Sequence, residues 1–414
     1  MFKTSTGVNF EIYINDVLLP LNLSNVESLL IVNNIYDRLP SIRLTLIDDK
    51  NIFNSMIQLY DGCKIGINIG NRTDTKVNKT KEDDLAYSLI FSLISSPTFE
   101  LHTGYTKVVL YGILNFLPYW QDRSPIAISG SSNDTIKTIM QNYGIKYKGT
   151  KTYDNMIWHN FGKSRADFVK DITNRSFVKD GSCMLSFFRY DGTFNLINVN
   201  SFKDVDYTLV NTGSTVDDDK SYYFTDINYR YNAGINDFTY TYKTKSYQHS
   251  FMKNNDAIEI DNNNKNTKLQ DKENNLIKLT KTFAEIPNIN EDDYSNINVC
   301  NNFIDSINVG NVHQNWTKAY YQNMRYRSMF NIYCEVYLPY ISQIDIGDKV
   351  EIKIDSGNKD ISNAYGFNYW FVEAKTLGLS VNQYTEKLLL STTGFSSLIW
   401  KKPKSNGFVE MKEG

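Results

Sequence analysis

Two aspartates one helical turn apart, Asp167 and Asp171, are the residues whose type and spacing could support hydrolysis. Glycoside hydrolysis needs such a pair of carboxylates, one to protonate the leaving oxygen and one to attack the sugar or activate water. However, Lys163, Lys170 and Arg175 surround the pair on a segment with helical periodicity. Acids and bases interleaved at this spacing are typical of a solvated helix face. A cell-wall hydrolase therefore stays an alternative function and not the preferred one.

Two other groups of residues could bind a ligand. The run 217–219, three consecutive aspartates, could hold a hard cation, but it lacks the interleaved oxygen ligands of a calcium loop, which favours a polar turn. Four aromatic residues could stack on sugars or bases, namely Trp316, Tyr320, Tyr321 and Tyr326. On the helix that we predict there, such residues are more often part of a core or a subunit interface. They support a second alternative function, a glycan-binding β-module.

The histidines and cysteines form no metal or redox motif. The four histidines lack metal-ligand spacing; they are His102, His159, His249 and His313. The four cysteines are far apart in the chain; they are Cys63, Cys183, Cys300 and Cys334. No GxSxG, Walker or GxGxxG motif occurs. We therefore predict that the chain is not an enzyme, that it has no catalytic residue, cofactor or metal, and that its thiols are free and mostly buried.

Composition predicts a folded chain with more than one core. Its 414 residues exceed the roughly 250–300 at which single cores stop growing. A hydrophobic content of 41% with a formal net charge of −2 indicates a globular protein and argues against broad electrostatic binding of nucleic acid. The start of the chain lacks the apolar stretch of a signal peptide, and no run of about 18 apolar residues occurs. We expect no membrane insertion.

Hydrophobic periodicity places strands near both ends of the chain. Alternation at period two predicts strands over residues 9–14 and 41–47, and strands resume over 222–231 and 237–242. The polar stretch 253–275 predicts a loop. A helix is predicted over 314–329, where the four aromatic residues named above lie.

Between these strand-rich regions the pattern changes to helices. One helix is predicted with Asn133-Asp134 as its cap, and a second begins at Ser164, with Asp167 as the acid of a capping box. Their apolar faces are formed by Ile136, Ile139, Met140 and Tyr143 and by Phe168, Val169 and Ile172. A hairpin over 181–199, with its turn at Asp191-Gly192, follows the second helix.

One pattern of a turn, an alternating strand, a polar loop and two more strands occurs twice. The first copy covers 59–69, 89–94 and 105–110, and the second covers 344–354, 367–373 and 384–390. Aligning Gly62 with Gly347 places Gly66 opposite Glu351. Aligning Tyr105 with Tyr384 places Lys107-Val108 opposite Glu386-Lys387. These positions are candidates for places where the two copies contact different neighbours.

The predicted fold class is mainly β, of the α+β type. It has two similar antiparallel β-barrel domains, a small α+β domain between them and an insertion in the second barrel. The predicted domains are a first barrel over 1–119, the α+β domain over 120–200, a second barrel over 201–250 and 320–400, the insertion over 251–319 and a tail over 401–414.

The order of these parts resembles the central baseplate hub of contractile-tailed phages, a family shared with the type VI secretion spike protein and the phage late-control protein. Four segments carry the likeness: 125–143, where a short strand leads into a helix; 158–168, where an aromatic residue precedes the second helix; the hairpin 181–196; and Asp345–Ile352, a turn with glycine before a strand. The resemblance covers roughly residues 1–400.

The resemblance implies a structural virion protein in the tail baseplate, assembled in the host cytoplasm. Hubs of this family are homotrimers whose six barrels join a hexameric tail tube to a trimeric spike, within surrounding baseplate wedge proteins. The ring encloses a channel for the tape measure protein and for DNA, which passes during genome ejection without specific binding. A related injection device would fit the same resemblance. We expect a channel wall that is not strongly basic, because a basic wall would bind DNA.

Overall fold

The chain, described from a computed structural model, is mainly built of β-strands with a few short helices. The structure describes residues 2–3, 8–21, 23–55, 57–71, 87–176, 178, 184–199, 205–211, 220–231, 238–243, 248–253, 259–260, 269–270, 277–281, 332–354, 370–380 and 383–392. The predicted mainly β, α+β fold is confirmed.

Three groups of elements follow one another along the chain. The first half contains β1 (Phe2–Lys3), β2 (Val8–Ile14), β3 (Val17–Leu18), a 3₁₀ helix (Leu23–Asn25), β4 (Val26–Asn34), β5 (Ser41–Asp48), α1 (Ile52–Ser55), β6 (Lys64–Asn71), β7 (Tyr87–Leu93), β8 (Thr98–His102) and β9 (Tyr105–Leu114). The middle unit contains α2 (Leu117–Gln121), β10 (Ile126–Gly130), α3 (Ser132–Asn142), β11 (Tyr147–Gly149), β12 (Met156–Asn160), α4 (Arg165–Arg175), β13 (Met184–Phe188) and β14 (Phe194–Asn198). The second half contains β15 (Tyr207–Asn211), β16 (Ser221–Phe224), β17 (Asp226–Tyr231), β18 (Phe238–Lys243), β19 (Gln248–Lys253), β20 (Glu259–Ile260), β21 (Leu269–Gln270), β22 (Ile277–Lys281), β23 (Ile332–Leu338), β24 (Lys349–Lys353), β25 (Trp370–Ser380) and β26 (Gln383–Thr392).

The first half is an antiparallel sheet with neighbours in the order β2-β6-β7-β9-β5-β4. The predicted alternation is visible in β5, where Ile42, Leu44 and Leu46 point into the core. A side chain on one face of a strand recurs at every second residue, so one face of the sheet becomes apolar and packs inward.

The second half has the neighbour order β16-β15-β24-β25-β26-β23-β17. Since a single residue, Thr225, separates β16 from β17, the chain itself links the two ends of this order. Here β15 runs parallel to both β24 and β16, whereas the pairs among β24, β25, β26, β23 and β17 are antiparallel. A separate core fills this half, with Trp370 as its largest fully buried side chain.

Strand β25 joins the two halves into one sheet. Its first residues pair with β24, and its continuation from Ala374 to Ser380 pairs with β4 of the first half. Leu377, Leu379 and Tyr384, at the far end of the β25–β26 hairpin, belong to the core of the first half. The end of this hairpin is therefore part of the first half's packing.

The middle unit contains the two predicted helices. α4 begins after Ser164, whose hydroxyl accepts a hydrogen bond from the Asp167 amide at 3.1 Å, as the capping box predicts. The predicted cap of α3 is wrong by two residues: Ser131 is the N-cap and accepts from the Asp134 amide. The predicted core faces are confirmed in both helices, except that Tyr143 lies just past the end of α3 and is only partly buried. The hairpin of β13 and β14 turns at Gly192 as predicted.

Several predicted features lie outside the described residues. They are the aspartate run 217–219, the helix over 314–329 with its aromatic residues, Cys183, Cys300, His313 and the tail 401–414. Within the predicted insertion β22 pairs with β19, which begins three residues before the insertion. β20 pairs with β21 inside the stretch 253–275 that was predicted to be a loop. The domain boundaries themselves stay a prediction.

Candidate functional site: the junction of the repeated halves

The repeated turns have the same backbone geometry. In the first copy the Gly62 amide donates to the Leu93 carbonyl at 2.9 Å, and in the second the Gly347 amide donates to the Val372 carbonyl at 3.0 Å. Both glycines have a positive φ, 87° and 86°, a conformation that side chains disfavour. The predicted internal repeat is therefore present in the hydrogen bonding of the backbone.

The residue after each glycine accepts a hydrogen bond from the amide three residues before it. The Tyr60 amide donates to the Cys63 thiol at 3.1 Å, and the Asp345 amide donates to the Asp348 carboxylate at 2.8 Å. The two copies differ in what else these side chains contact. Cys63 is fully buried, whereas Asp348 binds the middle unit.

Arg189 holds the second turn to the middle unit. Its guanidinium donates two hydrogen bonds to the carboxylate of Asp348, at 2.6 and 3.2 Å, and its Nε lies 3.5 Å from Asp345. A bidentate pair of this kind constrains both distance and orientation. The Asp345 carboxylate also accepts from the Tyr190 amide at 2.9 Å. We call Arg189, Asp345 and Asp348 the Arg189 clamp.

A buried ion pair lies where the two halves meet. The Lys375 ammonium on β25 is 3.2 Å from the Glu386 carboxylate on β26, and neither side chain is exposed to solvent. Lys375 also donates to the carbonyls of Ser342 and Ile344, at 2.9 and 2.6 Å. Glu386 accepts from the Ser342 amide at 3.1 Å and from the Ser342 hydroxyl. The burial of both charges is thus compensated by hydrogen bonds on each side.

Tyrosines connect this ion pair to the other two parts of the chain. Tyr87, at the start of β7, accepts from the Lys375 ammonium at 2.9 Å and donates to the Ser342 carbonyl at 2.9 Å. Tyr190 of the middle unit donates to the Lys375 carbonyl at 2.8 Å. The Tyr384 hydroxyl donates to the Glu386 carboxylate at 3.3 Å. We call Tyr87, Tyr190, Ser342, Lys375, Tyr384 and Glu386 the junction network. It links the first half, the middle unit and the second half.

Burial sets the protonation of this network. It raises the pKa of Tyr87, Tyr190 and Tyr384 well above that of free tyrosine, so these phenols act as neutral hydrogen-bonding groups. Burial also raises the pKa of Glu386, and the neighbouring Lys375 ammonium opposes that rise. Outside the network, burial lowers the pKa of Lys170 to about 8. Lys170 donates to the carbonyls of Ile35 and Ser186 and so joins α4 to the first half.

We predict that the Arg189 clamp makes the stability of the folded protein depend on pH. Burial raises the pKa of Asp345 to about 6, although Arg189 and Lys375 oppose the rise. Between the unfolded pKa of about 4 and this folded pKa, the folded state binds more protons than the unfolded state. The contribution of Asp345 to stability is therefore fully present below about pH 4 and is lost as the pH rises through 6. We expect the free energy of unfolding of Asp345→Asn, measured in urea, to change less between pH 5 and pH 7 than that of the wild type, by on the order of 1 kcal/mol.

Asp122 provides the control for this titration. Hydrogen bonds from Ser124 and Tyr143 lower the pKa of Asp122 to about 2, so this carboxylate stays ionised between pH 5 and pH 7. Asp122→Asn should leave the pH dependence in this range unchanged. An Asp345→Asn variant with the wild-type pH dependence would contradict the assignment.

The strand pairing corrects one predicted alignment of the repeats. Leu93 pairs with Gly112 and Val372 pairs with Leu390, so Glu386 corresponds to Val108 and not to Lys107. The one-residue shift arises before the last strand of each copy. In the first copy four residues separate β7 from β8, whereas in the second copy only three residues of the continuous, bulged strand β25 take their place. A buried charge in the second copy thus replaces a buried valine in the first. The predicted alignment of Gly66 with Glu351 agrees with the equivalent hydrogen bonds of Gly62 and Gly347.

Sequence reasoning singled out Glu386 as a position where the two copies differ, but it missed Lys375 and the ion pair between them, although the signal is present. Lys375 shares a strand face with Leu377 and Leu379, and Glu386 shares one with Leu388 and Leu390. A single charge within an apolar alternation on each of two adjacent strands is what a buried cross-strand ion pair produces.

Each carboxylate of the pair considered for hydrolysis forms an ion pair with a basic side chain. Asp167 pairs with Arg38, and Asp171 pairs with Lys163. Although partial burial opposes it, hydrogen bonds from Ser164 and Arg38 lower the pKa of Asp167. A general acid of a glycosidase needs the opposite shift. The geometry does not favour the hydrolase alternative.

The other candidate residues are dispersed. His102 stacks on Tyr105 and His159 on Phe161, both near the surface; of His249 only the backbone, in β19, is described. The prediction of free, buried thiols is confirmed at Cys63 and Cys334. Among the described residues no group of three or more His, Cys, Asp or Glu could hold a metal ion. No helix in that same part of the chain is long and apolar enough to cross a membrane.

Comparison with known proteins identifies similar folds. The sequence matches no known family model and no curated protein. Among solved structures, a tail protein from Neisseria meningitidis MC58 aligns with a TM-score of 0.53 and 11% identity, over 94% of this chain and 97% of that one. The 43 kDa tail protein of prophage MuSo2 from Shewanella oneidensis aligns with a TM-score of 0.54 and 7% identity, over 92% and 98%. The chain therefore has the fold of these two tail proteins over nearly its whole length, which bears out the resemblance at the level of the fold.

Proposed function

We propose that this chain is a structural tail protein that acts as the hub of a baseplate. Three copies form a ring of six β units, which joins a hexameric tail tube on one side to a trimeric spike on the other, with baseplate wedge proteins around it. The ring surrounds the path of the tape measure protein and of DNA during ejection. The protein is a component of the virion tail and performs no catalysis.

One observation carries this proposal: a single chain contains two β units with equivalent turns, and the second unit docks onto the first. Each chain thus contains one contact between neighbouring units of a ring. A cyclic assembly requires the same surface relation to recur at every step. Two similar units per chain allow a threefold assembly to contact a sixfold one, which explains why a tail would use a duplicated fold.

The first test is the mass of the purified chain, measured by light scattering after size exclusion. We expect three times the chain mass of 47.8 kDa, and six lobes around a central hole in averaged electron micrographs. A monomer, both alone and when co-expressed with the spike protein of the same genome, would overturn the proposal.

A further inference from the structure

The β8–β9 hairpin of the first half corresponds to the end of the β25–β26 hairpin of the second half. β8 pairs with β9 so that Phe99 faces Val108, and β25 pairs with β26 so that Leu377 faces Glu386. Since Val108 corresponds to Glu386, Phe99 corresponds to Leu377. By the same register Leu101 corresponds to Leu379.

The two equivalent hairpin ends have opposite exposure. Leu377 and Leu379 are each about 1% exposed, because the end of β25 pairs with β4 and packs into the first half. Phe99 and Leu101 are 46% and 83% exposed, and every residue of β8 is exposed. Leucine and phenylalanine that are this exposed on a strand edge are typical of an interaction surface.

The second half has a strand edge equivalent to the one that receives β25. Within the first half β4 lies beside β5, which lies beside β9; within the second half β17 lies beside β23, which lies beside β26. β17 therefore corresponds to β4. The outer edge of β4 pairs with β25, whereas β17 pairs with β23 alone among the described strands. An unpaired edge of this kind can accept a further strand.

We propose that β8 of one copy pairs antiparallel with β17 of a second copy, reproducing between chains the contact that β25 and β4 make within one chain. The register of the β25–β4 pair within one chain predicts the register of the proposed β8–β17 pair between chains. Leu379 pairs with Leu29, and Leu29 corresponds to Ile227 through its partners in β5 and β9. Leu101 would therefore lie opposite Ile227 of the partner subunit. Ile227 already packs against the core of the second half, so an apolar neighbour on β8 extends that core.

The occupant of this edge is a second copy because the repeat supplies both sides of the contact. One chain holds the completed version between its own two halves, and among the described strands it leaves one donor hairpin and one acceptor edge. A chain with one unused donor and one unused acceptor assembles head to tail and closes when the rotation allows. This inference rests on the proposed trimer, since three such steps complete the ring of six β units.

The first experiment compares Leu101→Glu with a matched control. Leu18→Glu makes the same substitution at another exposed strand position, where Leu18 is 45% exposed. By light scattering we expect wild type and Leu18→Glu at three times 47.8 kDa and Leu101→Glu at 47.8 kDa. The thermal unfolding of Leu101→Glu should still be cooperative, because that side chain is exposed within the single chain.

The second experiment tests the register. Under oxidation, a chain with Leu101→Cys and Ile227→Cys should form covalent species of two and three chains on a non-reducing gel. Each single variant and the wild type should stay as single chains. A wild-type trimer together with a trimeric Leu101→Glu variant and no cross-link in the double variant would overturn this contact while leaving the hub proposal standing. A monomeric wild type would overturn both.

Discussion

Lys375→Met should destabilise the protein by about 3–5 kcal/mol, because it leaves the Glu386 carboxylate buried without its cation. The substitution keeps an unbranched side chain as far as its ε-carbon and removes the ammonium, which also donates to the Ser342 and Ile344 carbonyls. The free energy of unfolding in urea measures this loss. Since β25 forms part of both halves, we expect a single cooperative transition that shifts as a whole.

An exposed ion pair serves as the control for this prediction. Lys353 lies 3.3 Å from Glu351 on β24, and its side chain is largely exposed, so Lys353→Met should cost less than about 1 kcal/mol. The double variant Lys375→Met with Glu386→Leu should recover part of the loss, because no uncompensated charge then remains. Equal effects of the Lys375 and Lys353 substitutions would show that the junction network does not stabilise the fold.

Gly347→Ala should destabilise the protein by about 2–5 kcal/mol, more than the same change at Gly62. A side chain at positive φ costs about 1–2 kcal/mol at either position. A Cβ at Gly347 would in addition clash with the Phe187 ring, and forcing a packed side chain aside costs about 1–3 kcal/mol. The ring is held in a small cluster between the three parts of the chain, so it has little room to move.

Gly62→Ala is the matched control, because its φ is nearly the same and the nearest atom, Leu117 Cδ1, lies 3.9 Å away. Thermal unfolding of the two variants separates the conformational cost from the contact with Phe187. A loss at Gly62 that equals the loss at Gly347 would mean that Phe187 yields without strain. The equivalent turns of the repeat would then be held equally tightly.

Much of the local structure could be predicted because it depends on neighbours in sequence. The alternating strands around Ile42 and Leu44, the capping box at Ser164 and Asp167, and the glycine turn at 192 each follow from side chains a few residues apart. The repeat could also be read from the sequence, because its turns need glycine at the same place. A one-residue error in aligning its last strand arose where β25 continues through a bulge and the first copy is broken into two strands.

The sequence by itself therefore determined the elements, the mainly β class and the existence of two similar units. Only the tertiary structure decided which surfaces of those units meet. Lys375 and Tyr87 are far apart in the chain, and their contact follows from β25 leaving β24 to pair with β4. Arg189 and Asp348 are also far apart, and their contact joins the middle unit to the second half. Periodicity predicts which face of a strand is apolar. It does not predict whether the same chain buries that face, as it does at Leu379, or leaves it exposed, as at Leu101. That difference depends on strand pairings between distant segments, which the local sequence pattern does not specify.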